Sequence, residues 1–106
     1  MGIDEQTIQE IVRRILTVAK PDKIILFGSA ATGQMTRDSD IDLLIVEPEI
    51  PDRQGEYLRI RRSLKGIRFP FDILFITTQW FEDSKTVIGG IAYPANKHGK
   101  VIYDAA

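Results

Sequence analysis

Two short apolar runs, Lys23-Ile24-Ile25-Leu26-Phe27 and Leu43-Leu44-Ile45-Val46, constrain the fold more than any other stretch. Neither alternates with polar residues, so each reads as a strand covered on both faces. The residues joining them begin Gly28-Ser29 and end Asp40-Ile41-Asp42. A tight Gly-Ser turn therefore ends one buried strand, and two carboxylates open the next.

Successive side chains on a strand point to opposite faces, which puts Asp40 and Asp42 on one face with Cα atoms roughly 6.5–7 Å apart. Ile41 and Leu43 then point into the core. The carboxylate oxygens can converge on one divalent cation, or on two about 3.5–4 Å apart. Hard oxygen ligands suit Mg²⁺, which takes one or two carboxylates and fills its shell with water and substrate phosphate. Gly28 lets backbone approach a ligand closely. Ser29, opening a short helix, offers a hydroxyl and N–H groups to an anion. Each half alone also reads as ordinary turn chemistry. The two together favour function, because adjacent like charges cost stability unless something neutralises them. A phosphate cradle beside acidic ligands describes a site for a nucleoside triphosphate.

Gly-Ser, ten residues, Asp, one residue, Asp, set between apolar strands, resembles the signature of the DNA polymerase β-like nucleotidyltransferase superfamily. The short chain resembles its minimal nucleotidyltransferase (MNT) branch, over nearly its whole length. The resemblance implies an α/β fold: a small mixed β-sheet of about four strands flanked by helices, similar to the palm of polymerase β. It implies transfer of a nucleoside monophosphate, AMP from ATP, to a hydroxyl acceptor, with Mg²⁺ in a two-ion site. It also implies a third carboxylate on the strand after the intervening helix. Asp72 is the acidic residue on the run Phe71–Thr77 and is assigned that role. On this reading Asp40, Asp42 and Asp72 are catalytic and hold metal, and Gly28 and Ser29 bind the nucleotide. Apart from the resemblance, Asp72 also reads as a cap at a wet strand end. Many relatives carry arginine directly after the Gly-Ser pair, where this chain has Ala30; Arg37, Lys97 or Lys100 are the candidate replacements. Minimal members are often the antitoxin half of a two-gene module whose partner is a HEPN-type protein. The resemblance therefore implies either a tyrosine of that partner as acceptor, or a non-catalytic binding module that neutralises it. A homo-oligomer that supplies its own acceptor is a third reading.

The 106 residues, 43% of them hydrophobic, fit a single domain spanning 1–106. With no cysteine, disulfides and thiolate metal sites are excluded. A net charge of −1 argues against direct nucleic-acid binding by bulk attraction. No targeting signal and no membrane-length apolar run is evident, so a soluble, cytoplasmic protein is expected.

Elsewhere, Asp4 reads as an N-cap with Ile3 and Ile8 as a hydrophobic staple. A helix with Ile8, Ile11, Val12, Ile15, Leu16 and Ala19 on one side then runs to Pro21-Asp22. The segment Glu47–Asp52 reads as a proline-punctuated linker. Pro51 or Asp52 opens a helix to about Lys65 with Tyr57, Ile60, Leu64 and Ile67 inward. Arg59, Arg61, Arg62, Lys65 and Arg68 make this segment basic, either as a solvated face or as a contact surface for an acidic partner or phosphates. Thr78 reads as a cap, with Trp80 and Phe81 in the core. Ser84–Lys97 reads as broken helix or a mobile segment, His98-Gly99 as a turn, and Lys100–Tyr103 as a last strand.

Overall fold

The computed structural model describes residues 3–28, 31 and 39–106. The expected short helix after Ser29, the polar loop before Ser39, and the side chains of Ser29, Ala30 and Arg37 lie outside the described residues.

Helix α1 spans Glu5–Leu16, and Asp4 caps it by accepting from the Thr7 amide at 2.7 Å. Its isoleucines are poor helix formers, each costing up to about 0.7 kcal/mol against alanine. Burial decides the outcome: Ile8, Ile11 and Ile15 are at most 5% exposed, and each buried side chain of this size contributes about 1.5–3 kcal/mol. The helix stops at Thr17, before Pro21-Asp22, where the Thr17 amide turns back to the Arg14 carbonyl and the Val18 and Ala19 amides to that of Ile15.

Strand β1 is Lys23–Phe27, β2 is Ile41–Glu47 and β3 is Phe71–Thr77, with helix α2, Arg53–Ser63, between β2 and β3. Helices α3, Thr78–Ser84, and α4, Ala92–His98, precede the last strand β4, Lys100–Asp104. The four strands form one mixed sheet in the order β3-β2-β1-β4. β1 is antiparallel to both its neighbours, whereas β2 and β3 are parallel. The parallel pair needs a crossover, which α2 supplies. The expected α/β fold, with a small mixed sheet of about four strands flanked by helices, is the fold observed.

The sheet is covered on both sides, which explains the unbroken apolar composition of its central strands. Ile41, Leu43 and Ile45 meet α1 and α2 on one face, with Ile60 and Leu64. Leu44 and Val46 meet α3 and α4 on the other, with Ile25, Phe81, Ala92 and Ala95. Among the described residues, no helix is long and apolar enough to cross a membrane.

Several local details differ from the sequence reading. Thr77, not Thr78, caps α3 by accepting from the Trp80 amide; the Thr78 hydroxyl instead donates to Asp22. Phe81 is buried but Trp80 is 66% exposed, since the short helix can present only one of two consecutive aromatics to the sheet. The Ser84–Lys97 segment holds a regular turn of helix, α4, with Pro94 near its start, where a missing N–H costs nothing. His98 ends that helix and is exposed.

Asp52 caps α2 by accepting from the Gly55 amide at 3.0 Å. Asp52→Ala should lower stability by about 1 kcal/mol, read as a fall in Tm of about 4–8 °C by circular dichroism.

Glu47 belongs to β2 rather than to a linker, and it is 4% exposed. Its Oε1 has no hydrogen-bond partner among the described residues. Burial pushes its carboxyl up to about 8, helped by a hydrogen bond to Glu56 and by that residue's charge, with Arg59 opposing. The Glu47 hydrogen bond and Arg59 hold Glu56 below its ordinary value. Two carboxylates cannot hydrogen-bond without a proton, so the pair keeps one on Glu47. Arg59 contacts Glu56 at 2.7 Å. A folded-state pKa above the unfolded value makes the folded chain the better proton binder. Stability from Glu47 is therefore full below about 4.5 and is lost as pH rises through about 8. Urea titrations across that window should show this loss, and Glu47→Gln should flatten it and be the more stable protein at the alkaline end.

Candidate functional site

The site forms where β1 ends and β2 and β3 begin. Asp42 lies opposite Phe27 on one side and opposite Asp72 on the other. The parallel register sets the Asp42 and Asp72 backbones one strand spacing apart, about 4.8 Å. That register is fixed one step earlier, where the Ile41 amide donates to the Pro70 carbonyl at 2.8 Å. Asp42 and Asp72 share the sheet face that carries Leu44, Val46 and Ile76. Ile41, on the opposite face, is fully buried.

Gly28 follows directly on β1 with φ of 70°, a left-handed conformation that side chains disfavour. A Cβ built there would collide with the Asp42 carboxylate. The Ala31 amide donates to the Gly28 carbonyl at 3.2 Å, closing the turn. Glycine is thus needed twice, for the bend and for the closeness of Asp42.

Asp40 stands just before β2 rather than on it, and it is exposed. Burial pushes the Asp42 carboxyl above its ordinary value, and the charges of Asp72 and then of Asp40 push it further. Both other acidic residues therefore act on Asp42 electrostatically, although Asp40 is not a strand residue. Among the described residues, no three His, Cys, Asp or Glu side chains converge tightly enough to cage a metal ion unaided. Mg²⁺ does not require such a cage, because one or two carboxylates with water and phosphate oxygens suffice. A desolvated carboxylate facing a second one is a donor set that a divalent cation relieves.

Of the candidate cations, Lys100 pairs with Leu26 across β1 and reaches Glu5 of α1 at 4.0 Å, on the face away from Asp42. Lys97 lies in the last turn of α4, on the carboxylate side of the sheet, with its Nζ 5.6 Å from the Tyr93 ring centroid. Ser29 is outside the described residues. The buried Glu47–Glu56 pair was missed by sequence reading. The signal was its odd-numbered phase with Ile41, Leu43 and Ile45, which sends position 47 to the α2 side.

Known proteins resemble this chain. A candidate protein adenylyltransferase of Methanocaldococcus jannaschii, MJ0141, is 35% identical over 71 residues, 65% of this chain and 71% of its own. A toxin–antitoxin structure with AMP-PNP superposes with a TM-score of 0.71 at 18% identity, covering 92% of this chain and 73% of that one. A mutant MntA–HpeT toxin–antitoxin structure gives 0.67 at 19%, covering 96% and 74%. A Sulfolobus solfataricus structure described as a nucleotidyltransferase candidate gives 0.59 at 18%, covering 99% and 93%. The family model described as nucleotidyltransferase domain matches residues 6–93, from the first turn of α1 into α4 and across every residue of the acidic site. The chain belongs to this nucleotidyltransferase family.

Proposed function

We propose that the chain transfers AMP from ATP to a hydroxyl of a partner protein, a tyrosine of a HEPN-type toxin. The observation that carries this reading is the register of Asp42 opposite Asp72, beside a left-handed glycine that leaves room for nothing larger. The AMP-PNP in one structural neighbour and the adenylyltransferase name of a relative support the choice of nucleotide. The toxin–antitoxin neighbours support the choice of partner.

The acceptor oxygen attacks the α-phosphorus in line, forming the new P–O bond. The bond from the α-phosphorus to the bridging oxygen breaks, and pyrophosphate leaves. Asp72, exposed at the start of β3, accepts the proton of the attacking hydroxyl. Gly28 and Ser29 hold the β- and γ-phosphates through backbone N–H groups and the serine hydroxyl. Asp40, Asp42 and Asp72 are the residues that would hold Mg²⁺, which neutralises charge on the α-phosphate and the leaving group. The chain itself supplies positioning and fixed charge.

The test is incubation with the partner and ATP labelled at either the α- or the γ-phosphate. Label should reach the partner from the α-position alone. Transfer from the γ-position would make the chain a kinase, and no transfer from either would leave the second reading.

That second reading is a binding module that neutralises the toxin without chemistry. It is favoured by Asp40 standing exposed and off the strand. A double variant, Asp40→Asn with Asp42→Asn, separates the two. Full neutralisation by this variant would favour binding over transfer.

A further inference from the structure

The basic segment of α2 is not used by the proposed chemistry, and it borders an apolar groove. Leu58, Leu64, Ile67, Phe69, Phe71 and Ile73 wall a cavity of about 400 Å³ between α2 and the edge strand β3. Arg61, Arg62 and Lys65 form its rim, and among the described residues no acidic one lines it. Along the same strand edge a second groove of about 510 Å³ is lined by Arg53, Tyr57, Ile73 and Phe75, again with no acidic residue among the described lining. Leu58 is 41% exposed, so covering this surface would remove apolar area from water.

β3 is an edge strand, and bare edges invite another strand. Here two of the outward carbonyls are already occupied. Arg53 Nη1 donates to the Phe75 carbonyl at 2.9 Å, and Arg61 Nη1 to the Phe71 carbonyl at 3.4 Å. A pairing strand would have to displace both guanidinium groups. A helix would not, because its own backbone is satisfied internally, and its carboxylates could share the arginines' remaining donors. A seven-residue strand is about 20 Å long, the length of about four helical turns. RNA would match the cations but leave the apolar floor uncovered.

We propose that the α2–β3 groove docks an acidic amphipathic helix of a protein partner. Apolar residues of that helix fill the floor, and its carboxylates meet Arg53, Arg61, Arg62 and Lys65. The groove opens on the α1–α2 side of β3, whereas Asp72 faces the other side of the same strand. A protein held there lies one strand's width from the acidic site. Only the reading of the docked protein as the acceptor rests on the proposed function; the docking does not.

The test is an amide-shift NMR titration of nucleotide-free protein. The probes are a helical peptide with a leucine stripe flanked by glutamates, the same peptide with lysines for glutamates, and a ten-nucleotide oligouridylate. The glutamate peptide should shift amides of α2 and β3. Its affinity should exceed that of the lysine peptide at least tenfold, and should fall at least tenfold in the triple variant Arg61→Glu, Arg62→Glu, Lys65→Glu. Leu58→Ser asks the same question should the triple variant fail to fold, and it too should weaken binding. Absence of binding, shifts elsewhere, equal affinity for both peptides, or matching shifts with oligouridylate would overturn the proposal. Asp42→Asn should bind the glutamate peptide unchanged, so loss of transfer and loss of docking are read separately.

Discussion

Asp42→Asn should abolish AMP transfer while leaving the protein as stable as before, or more so. Removing the central carboxylate of the site should cost about a thousandfold or more in kcat/KM, which is about 4 kcal/mol of transition-state stabilisation. Asparagine keeps the volume and removes the charge. In the folded chain that charge is disfavoured by burial and by the neighbouring carboxylates of Asp72 and Asp40. Like charges directly opposite across strands cost up to about 1 kcal/mol. Thermal denaturation at neutral pH should therefore give an unchanged or higher Tm, by up to about 8 °C for a chain of this size. Activity lost with stability kept is the mark of a carboxylate retained for chemistry. A variant that loses both would instead make Asp42 a structural residue, and one that keeps full transfer would remove it from the site.

Gly28→Ala should harm stability and activity together. The left-handed φ of 70° costs a non-glycine residue about 1–2 kcal/mol. The added Cβ also strikes the Asp42 carboxylate, so either the turn or the acid must move. A total loss of 2 kcal/mol or more is expected, a fall in Tm of about 8 °C or more. Displacing the acid by about 1 Å should cost about a hundredfold in rate. A double-mutant cycle separates the two causes. Asp42→Ala removes the collision, so in its presence Gly28→Ala should cost only the backbone strain. Equal costs in both backgrounds would mean that Gly28 and Asp42 do not press on each other.

The sequence exposed the centre of the fold and blurred its margins, for identifiable reasons. β1 and β2 were legible because both faces of each are buried, so their apolar runs are uninterrupted. The nearness of Gly28 to Asp42 followed from their places at the end of β1 and the start of β2. That Asp72 lies opposite Asp42 did not follow from spacing, because parallel register is set by the long crossover through α2. The resemblance to a known family supplied that expectation, not the local pattern. Trp80 was misread because two adjacent aromatics carry the same signal and only one can face the sheet. Glu47 was misread because the prolines after it masked the strand phase that continues through it. Which candidate cation lies on the carboxylate side was not legible, because Lys97 comes there only through the placement of α4.

The two facing acids belong to strands of unequal security. Asp42 sits on a strand bonded on both sides, whereas Asp72 sits on one bonded on a single side. Border strands exchange their amides and loosen at lower free energy than interior ones. Local opening of that outer strand would thus part the acids at a lower free energy than global melting requires.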